Sequence, residues 1–135
     1  MANAKPNLSL PSNEPIKSYA PCTPERADIK AKLQELKNQQ IEIPIIIGGK
    51  EIKTGNLGEC VLPHDHATVV GTYHKAGEKE VQMAIKTALK AHKQWAGMDW
   101  QDRASIFLKA ADILAGPKRS LLNAASMLCQ SKNVF

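Results

Sequence analysis

The stretch IEIPIIIGGKEIKTG, Ile41 to Gly55, poses the first question about the fold. An apolar, largely β-branched run ends in two glycines and a lysine. A phosphate-binding loop has the form G-x-x-x-x-G-K-[ST], in which successive backbone N–H groups wrap the phosphates and the hydroxyl reaches magnesium. Here Lys50 is followed by Glu51, whose charge repels phosphate, and the upstream glycine is missing. A dinucleotide loop of the form G-x-G-x-x-G opening a helix is also absent. The pattern after Lys50 alternates as a strand does. The reading is therefore a hairpin: a strand over Ile43 to Ile47, a turn at Gly48-Gly49 and a return over Glu51 to Thr54. Pro44 lacks an N–H, so the first strand lies at an edge or begins there.

Working outward, residues 1–22 carry Pro6, Pro11, Pro15 and Pro21 and read as an extended arm. "TPER" then opens a helix, with Thr23 as cap, Pro24 at the first helical position and Glu25 near the positive helix end. Its apolar stripe is Ile29, Leu33 and Leu36, with Ile41 as a further candidate. On the other side, "NLGECVLP" and "ATVVGTYH" read as two short strands around a turn at Pro63 to Ala67. Three helices follow. The first, Glu78 to Gln94, places Val81, Ile85, Ala88, Leu89 and His92 on one face. The second is capped by Asp99, with Asp102 completing a shortened capping box, and its stripe is Ala104, Phe107, Leu108, Ala111 and Leu114. Gly116 stops it and Pro117 starts the third, which carries Leu121, Leu122, Ala125, Leu128 and Cys129. No internal repeat or low-complexity tract is present. The fold class is α/β, built as an arm, a helix, a small antiparallel β section and three helices.

Composition narrows the function. The 135 residues suffice for one small domain, and 43% hydrophobic with 23% charged content is globular. Aromatics are only 4%, so the core must be aliphatic. The net charge of +5 is scattered, with no aromatics interleaved, which reads as a solvated surface and not a nucleic-acid site. No apolar run approaches membrane-span length. Three cysteines at irregular spacing are not a disulfide framework and point to a reducing compartment. The first fifteen residues lack the apolar core of a secretory signal and, having no arginine, are a poor mitochondrial presequence.

Several residues invite chemistry, and each has a plainer reading. Cys60, His64, His66 and His74 offer zinc-ligand types, but C-x3-H-x-H-x7-H matches no defined site, and Pro63 and Asp65 suggest a surface turn. No metal site is expected. Cys22 sits in the proline-rich arm. Cys129 lies at the end of an apolar stripe, where burial disfavours the thiolate, so neither is expected to be a nucleophile. Trp95 and Trp100 bracket the junction between two helices and are expected to pack it.

The run from Leu62 to Phe135, with "VVG", "EVQMAIKTALKAHKQW", "DRASIFLKAADIL" and a helix ending near "QSK", resembles in order the N-terminal pattern of the aldehyde dehydrogenase superfamily. "IIIGGKEIKTG" fits as the preceding hairpin. "NEPIKSYAPCTPERADIKAKLQELK" and "DRASIFLKAADILAGPKR" are similar to the delta-1-pyrroline-5-carboxylate dehydrogenase branch of that family. Ser131 stands where the family has a glycine before the lysine. The resemblance implies an NAD+-dependent oxidoreductase that converts L-glutamate γ-semialdehyde to glutamate in proline breakdown. It also implies a homo-oligomer acting on a small molecule, with no nucleic-acid or membrane partner. In animals the location is mitochondrial; the weak presequence leaves the cytoplasm as an alternative. In that family a cysteine thiolate attacks the aldehyde, hydride passes to NAD+ and a glutamate activates the hydrolytic water. The cysteine lies in a "GQ-x-C" context, whereas Cys129 precedes its glutamine. The base lies in "ELGGK", whereas "IIGGK" has Ile46 at that place. No catalytic, cofactor-binding or metal residue is therefore expected here. The expectation is an arm over residues 1–22 and, over 23–135, the N-terminal portion of a longer dehydrogenase domain. Alone it is expected to be inactive and to bind no NAD. The alternative is a noncatalytic module that docks on a full-length subunit.

Overall fold

The structure is a computed structural model that describes residues 12–134. The first eleven residues of the expected arm therefore lie outside the described residues. The opening stretch does fold as a hairpin, but Pro44 divides it. β1 (Ile41–Ile43) precedes the proline, and β2 (Ile45–Ile47) and β3 (Lys50–Ile52) follow as a two-stranded antiparallel pair. Gly48 and Gly49 take φ values of +60° and +75°, the left-handed conformation that a two-residue hairpin turn of this twist demands. β1 leaves the hairpin and joins a second sheet with β4 (Leu57–Leu62) and β5 (Asp65–His74), in the order β1-β5-β4. β4 and β5 are antiparallel, but β1 runs parallel to β5. The expected antiparallel β section is thus mixed, and Ile41 begins a strand instead of extending the first helical stripe. A Cβ on Gly71 would lie 2.7 Å from the Ile41 carbonyl oxygen, so this close parallel approach needs glycine. The turn between β4 and β5 is also tighter than expected, since β5 already begins at Asp65.

The helices are α1 (Pro24–Asn38), α2 (Glu78–Gly97), α3 (Trp100–Ala115) and α4 (Arg119–Gln130). Thr23 is the N-cap of α1, but its hydroxyl donates to the Ala20 carbonyl at 2.8 Å instead of capping an amide. Asp99 occupies the N-cap of α3 without a side-chain cap bond, so the box expected with Asp102 does not form. A reaching-back carboxylate is found on α2, where Glu80 accepts the Gly77 N–H at 2.9 Å. α3 ends at Gly116 as expected, but Pro117 lies in the turn and α4 opens at Arg119. Ser131, the C-cap of α4, has φ 52° and ψ 33°, a left-handed conformation that glycine adopts at least cost.

One core holds the described residues together. Ile29 and Leu36 of α1, Ala124 and Leu128 of α4, Leu62 of β4 and Val70 of β5 are buried in a single cluster. Leu33, Cys60, Leu121 and Ala125 pack around it. Tyr19 from the arm completes it at 4% exposure. Its hydroxyl accepts from Asn123 Nδ2 at 3.1 Å and its carbonyl accepts from Arg26 at 3.0 Å. Pro15's carbonyl accepts from Arg119 at 2.7 Å, and the Ser120 hydroxyl bonds Asp28, joining α4 to α1. The described arm is therefore pinned across α1 and α4. The stripe expected on α4 is rotated: Leu122 and Cys129 are exposed, and Ala124 takes the inner position. α2 and α3 bury no residue at all. Their stripes, among them Val81, Ile85, Leu89, Phe107 and Leu114, face outward.

Two substitutions test this division. Leu62, at 0% exposure, should cost about 2–5 kcal/mol as Leu62→Ala, while Leu89→Ala, at 70% exposure, should change stability by less than about 0.5 kcal/mol. Ser131→Gly should stabilise by about 1 kcal/mol by relieving the left-handed strain. Urea unfolding followed by circular dichroism reads all three; equal losses for Leu62→Ala and Leu89→Ala would place the core elsewhere.

Candidate functional site

The polar centre of the described residues lies where the two sheets meet. β1 carries Glu42 outward at its middle position, β3 ends just before Lys53, and β5 ends at His74. Glu42 Oε1 lies 2.8 Å from His74 Nε2, and Glu42 Oε2 lies 2.8 Å from Lys53 Nζ. His74 Nδ1 accepts the backbone N–H of Thr54 at 3.0 Å and of Gly55 at 3.1 Å. Those two donors fix the tautomer: Nδ1 is bare, so Nε2 carries the proton and donates to Glu42. The imidazole is neutral in this arrangement and its side chain is only 3% exposed. The Lys53 ammonium, followed by the His74 N–H, holds the Glu42 carboxyl below its ordinary range, against a smaller desolvation effect. Glu42 in turn pushes the Lys53 amine up. This cluster joins β1 and β5 to the segment that follows β3.

The sequence candidates fall apart around it. His74 is committed to the Thr54–Gly55 backbone, while His64 lies in the β4–β5 turn and His66 near the start of β5, both exposed. Cys60 is half-buried against the core. Among the described residues no three histidine, cysteine or acidic side chains gather as a metal set. Cys129 is exposed, so the burial expected for it is corrected. It lies at the C-terminal end of α4, the end of a helix that disfavours an anion. Cys22 is exposed in the turn before α1, with φ 65°. Trp95 packs edge-on against Phe107 with ring centroids 6.4 Å apart, joining α2 to α3, and Trp100 is half-exposed. A cleft between the arm and α3–α4 is lined by Asn13, Leu108, Asp112, Arg119 and Leu122. Arg119 is already bonded to Pro15 there.

The Glu42–Lys53–His74 cluster was not legible as such in the sequence. Its partners are up to 32 positions apart and meet only because β1 pairs parallel to β5. No helix among the described residues is long and apolar enough to cross a membrane.

The hairpin, the three-stranded sheet and the ordered helices define a class. Residues 52–134 match the family described as aldehyde dehydrogenase, and the chain belongs to that family. It is 47% identical over 125 residues to a delta-1-pyrroline-5-carboxylate dehydrogenase of Agaricus bisporus, covering 92% of this chain and 23% of that protein. It is 37% identical over 124 residues to the mitochondrial delta-1-pyrroline-5-carboxylate dehydrogenase of Homo sapiens, covering 92% of this chain and 22% of that protein. The crystal structure of the delta-pyrroline-5-carboxylate dehydrogenase of Mycobacterium tuberculosis bound with NAD superposes with a TM-score of 0.93 and 38% identity, covering 99% of this chain and 25% of that one. The chain thus spans about a quarter of the length of the relatives it matches.

The depressed Glu42 carboxyl has a consequence for acid stability. Its folded value lies below the ordinary 4.5, so its contribution is present above that pH and is lost as pH falls through the folded value. Glu42→Gln should lower the unfolding midpoint at neutral pH and flatten its dependence on pH below about 4.5. Identical acid profiles for the two proteins would show that the carboxylate carries no such linkage.

Proposed function

We propose that this chain is the N-terminal scaffold of an NAD+-dependent dehydrogenase that oxidises L-glutamate γ-semialdehyde to glutamate, the second step of proline breakdown. The observation that carries the reading is likeness over nearly the whole chain. The identity of 47% with one such enzyme covers 92% of this chain, and the TM-score of 0.93 with another covers 99% of it. The mitochondrial matrix is the proposed location, supported by relatives named as mitochondrial in mouse, human and Dictyostelium discoideum. The proposed working form is a homo-oligomer.

The role proposed for these residues is structural. They do not fit NAD. Gly48 and Gly49 close a hairpin instead of opening a helix. The N-terminus of α2 holds its own Glu80 carboxylate, and α3 opens with Asp99 and Asp102, so both helix ends are already negatively charged. No step of the reaction is assigned to a residue of this chain. Its contribution is to fold the arm, the hairpin and α1–α4 into a base on which the outward faces of α2 and α3 remain available. Those two unburied faces also favour the second reading, a noncatalytic module that docks on a full-length subunit.

Capture from the source organism with an antibody raised to residues 99–119 separates the readings. The captured protein should be several times larger than 14.7 kDa and should reduce NAD+ when given glutamate semialdehyde. The 135-residue chain alone should form no NADH above background. Material found only at 14.7 kDa and without activity would overturn the dehydrogenase reading, and its recovery in complex with a larger active enzyme would favour docking.

A further inference from the structure

His74 is a buried titratable group that the proposed function does not use. Its surroundings are specific. Thr54 and Gly55, the residues leading from the hairpin to β4, have no strand partner of their own; their N–H groups point at one imidazole nitrogen at 3.0 and 3.1 Å. Gly55 has φ +77°, the left-handed conformation that glycine adopts at least cost. The other nitrogen is bonded to Glu42 on β1. The turn is also tied by the Thr54 hydroxyl donating to the Lys75 carbonyl at 3.0 Å and by Lys75 N–H donating to the Asn56 carbonyl at 2.7 Å. Both of those bonds lie beside His74 in sequence and close on the same segment.

We infer that His74 is a proton-sensitive clamp: in its neutral form it fastens the Thr54–Asn56 turn, and with it the β2–β3 hairpin, to the three-stranded sheet, and protonation releases the turn. The reason is geometric. A proton on Nδ1 would point at two N–H donors already aimed at that atom. The imidazolium therefore cannot keep either bond, and two backbone donors lose their acceptor on the part-buried side of the ring. The bond from Nε2 to Glu42 survives protonation, so the ring stays with β1 and the turn is the part that moves. Charged groups face the ring from each side. Glu42 of β1 favours the imidazolium, and Lys53, bonded to the same carboxylate, opposes it. β4 presents Leu57, which is apolar, as the register partner of His74. Lys75, Glu78, Lys79 and Glu80 line the cleft beside Lys53 and Thr54 and mix both signs. Histidine is the side chain that ordinarily changes charge between about pH 5 and 8, and this sets the range over which the clamp is tested.

Hydrogen–deuterium exchange on the intact chain, read by mass spectrometry and corrected for intrinsic rates, tests the clamp. A peptide spanning residues 53–57 should exchange roughly tenfold faster near pH 5.5 than near pH 7.5, while one from the middle of β5 changes little. His74→Asn keeps an acceptor at the Nδ1 position that does not titrate, so the pH-dependent step should vanish in it. Glu42→Gln removes the carboxylate's titration and leaves the imidazole, so the step should persist even if His74→Asn fails to fold. A turn unprotected at both pH values, protection unchanged between them, or a step that disappears in Glu42→Gln would overturn the inference. None of these outcomes depends on dehydrogenase activity.

Discussion

Leu62 has no exposed surface, and the buried part of the molecule is arranged around the contact it makes possible. It stands at the end of β4, where the sheet meets the pair α1 and α4, and Ile29, Leu36, Val70, Ala124 and Leu128 close over it. With few aromatics in the chain, burial of aliphatic side chains is the main favourable term. Tyr19 is the exception. Its ring joins the cluster from the arm while its hydroxyl and carbonyl stay bonded to Asn123 and Arg26, so an otherwise irregular segment becomes part of the core.

The same arrangement explains the contrast between two halves of the helical set. α1 and α4 pack on each other and on the sheet. α2 and α3 touch each other through Trp95 and Phe107 but bury nothing. Amphipathic helices are stabilised chiefly by the surface they cover, and here the covering surface for two of them is not among the described residues. That fits a chain that spans about a quarter of the length of its relatives. Family membership and enzyme activity are accordingly separate statements. The first follows from residues 52–134, and the second belongs to proteins about four times as long as this chain.

Around the hairpin, polar contacts do what apolar burial does around Leu62. The β2–β3 pair has few buried side chains, only Ile47 being buried. It is fastened to the rest by Glu42, Lys53 and His74, a network whose geometry depends on which nitrogen of one imidazole is protonated. Hydrogen bonds of this kind add modest net stability when satisfied and cost more when a partner is lost.

Much of this fold was legible in the sequence, because its signals were local. The Gly48-Gly49 turn, the proline at the start of α1, the stop at Gly116 and the stripe Ile29–Leu33–Leu36 each depend on residues a few positions apart, and each was found. The resemblance in the ordered helices identified the family for the same reason. What the tertiary structure alone decided was long-range. The parallel pairing of β1 with β5, the burial of Tyr19, the rotation of α4 that exposes Cys129 and turns Ala124 inward, and the meeting of Glu42 with His74 join residues far apart in the chain. Periodicity says which face of a helix or strand is apolar, but not which neighbour covers it or whether any does; that depends on packing, and packing is a property of the assembled chain.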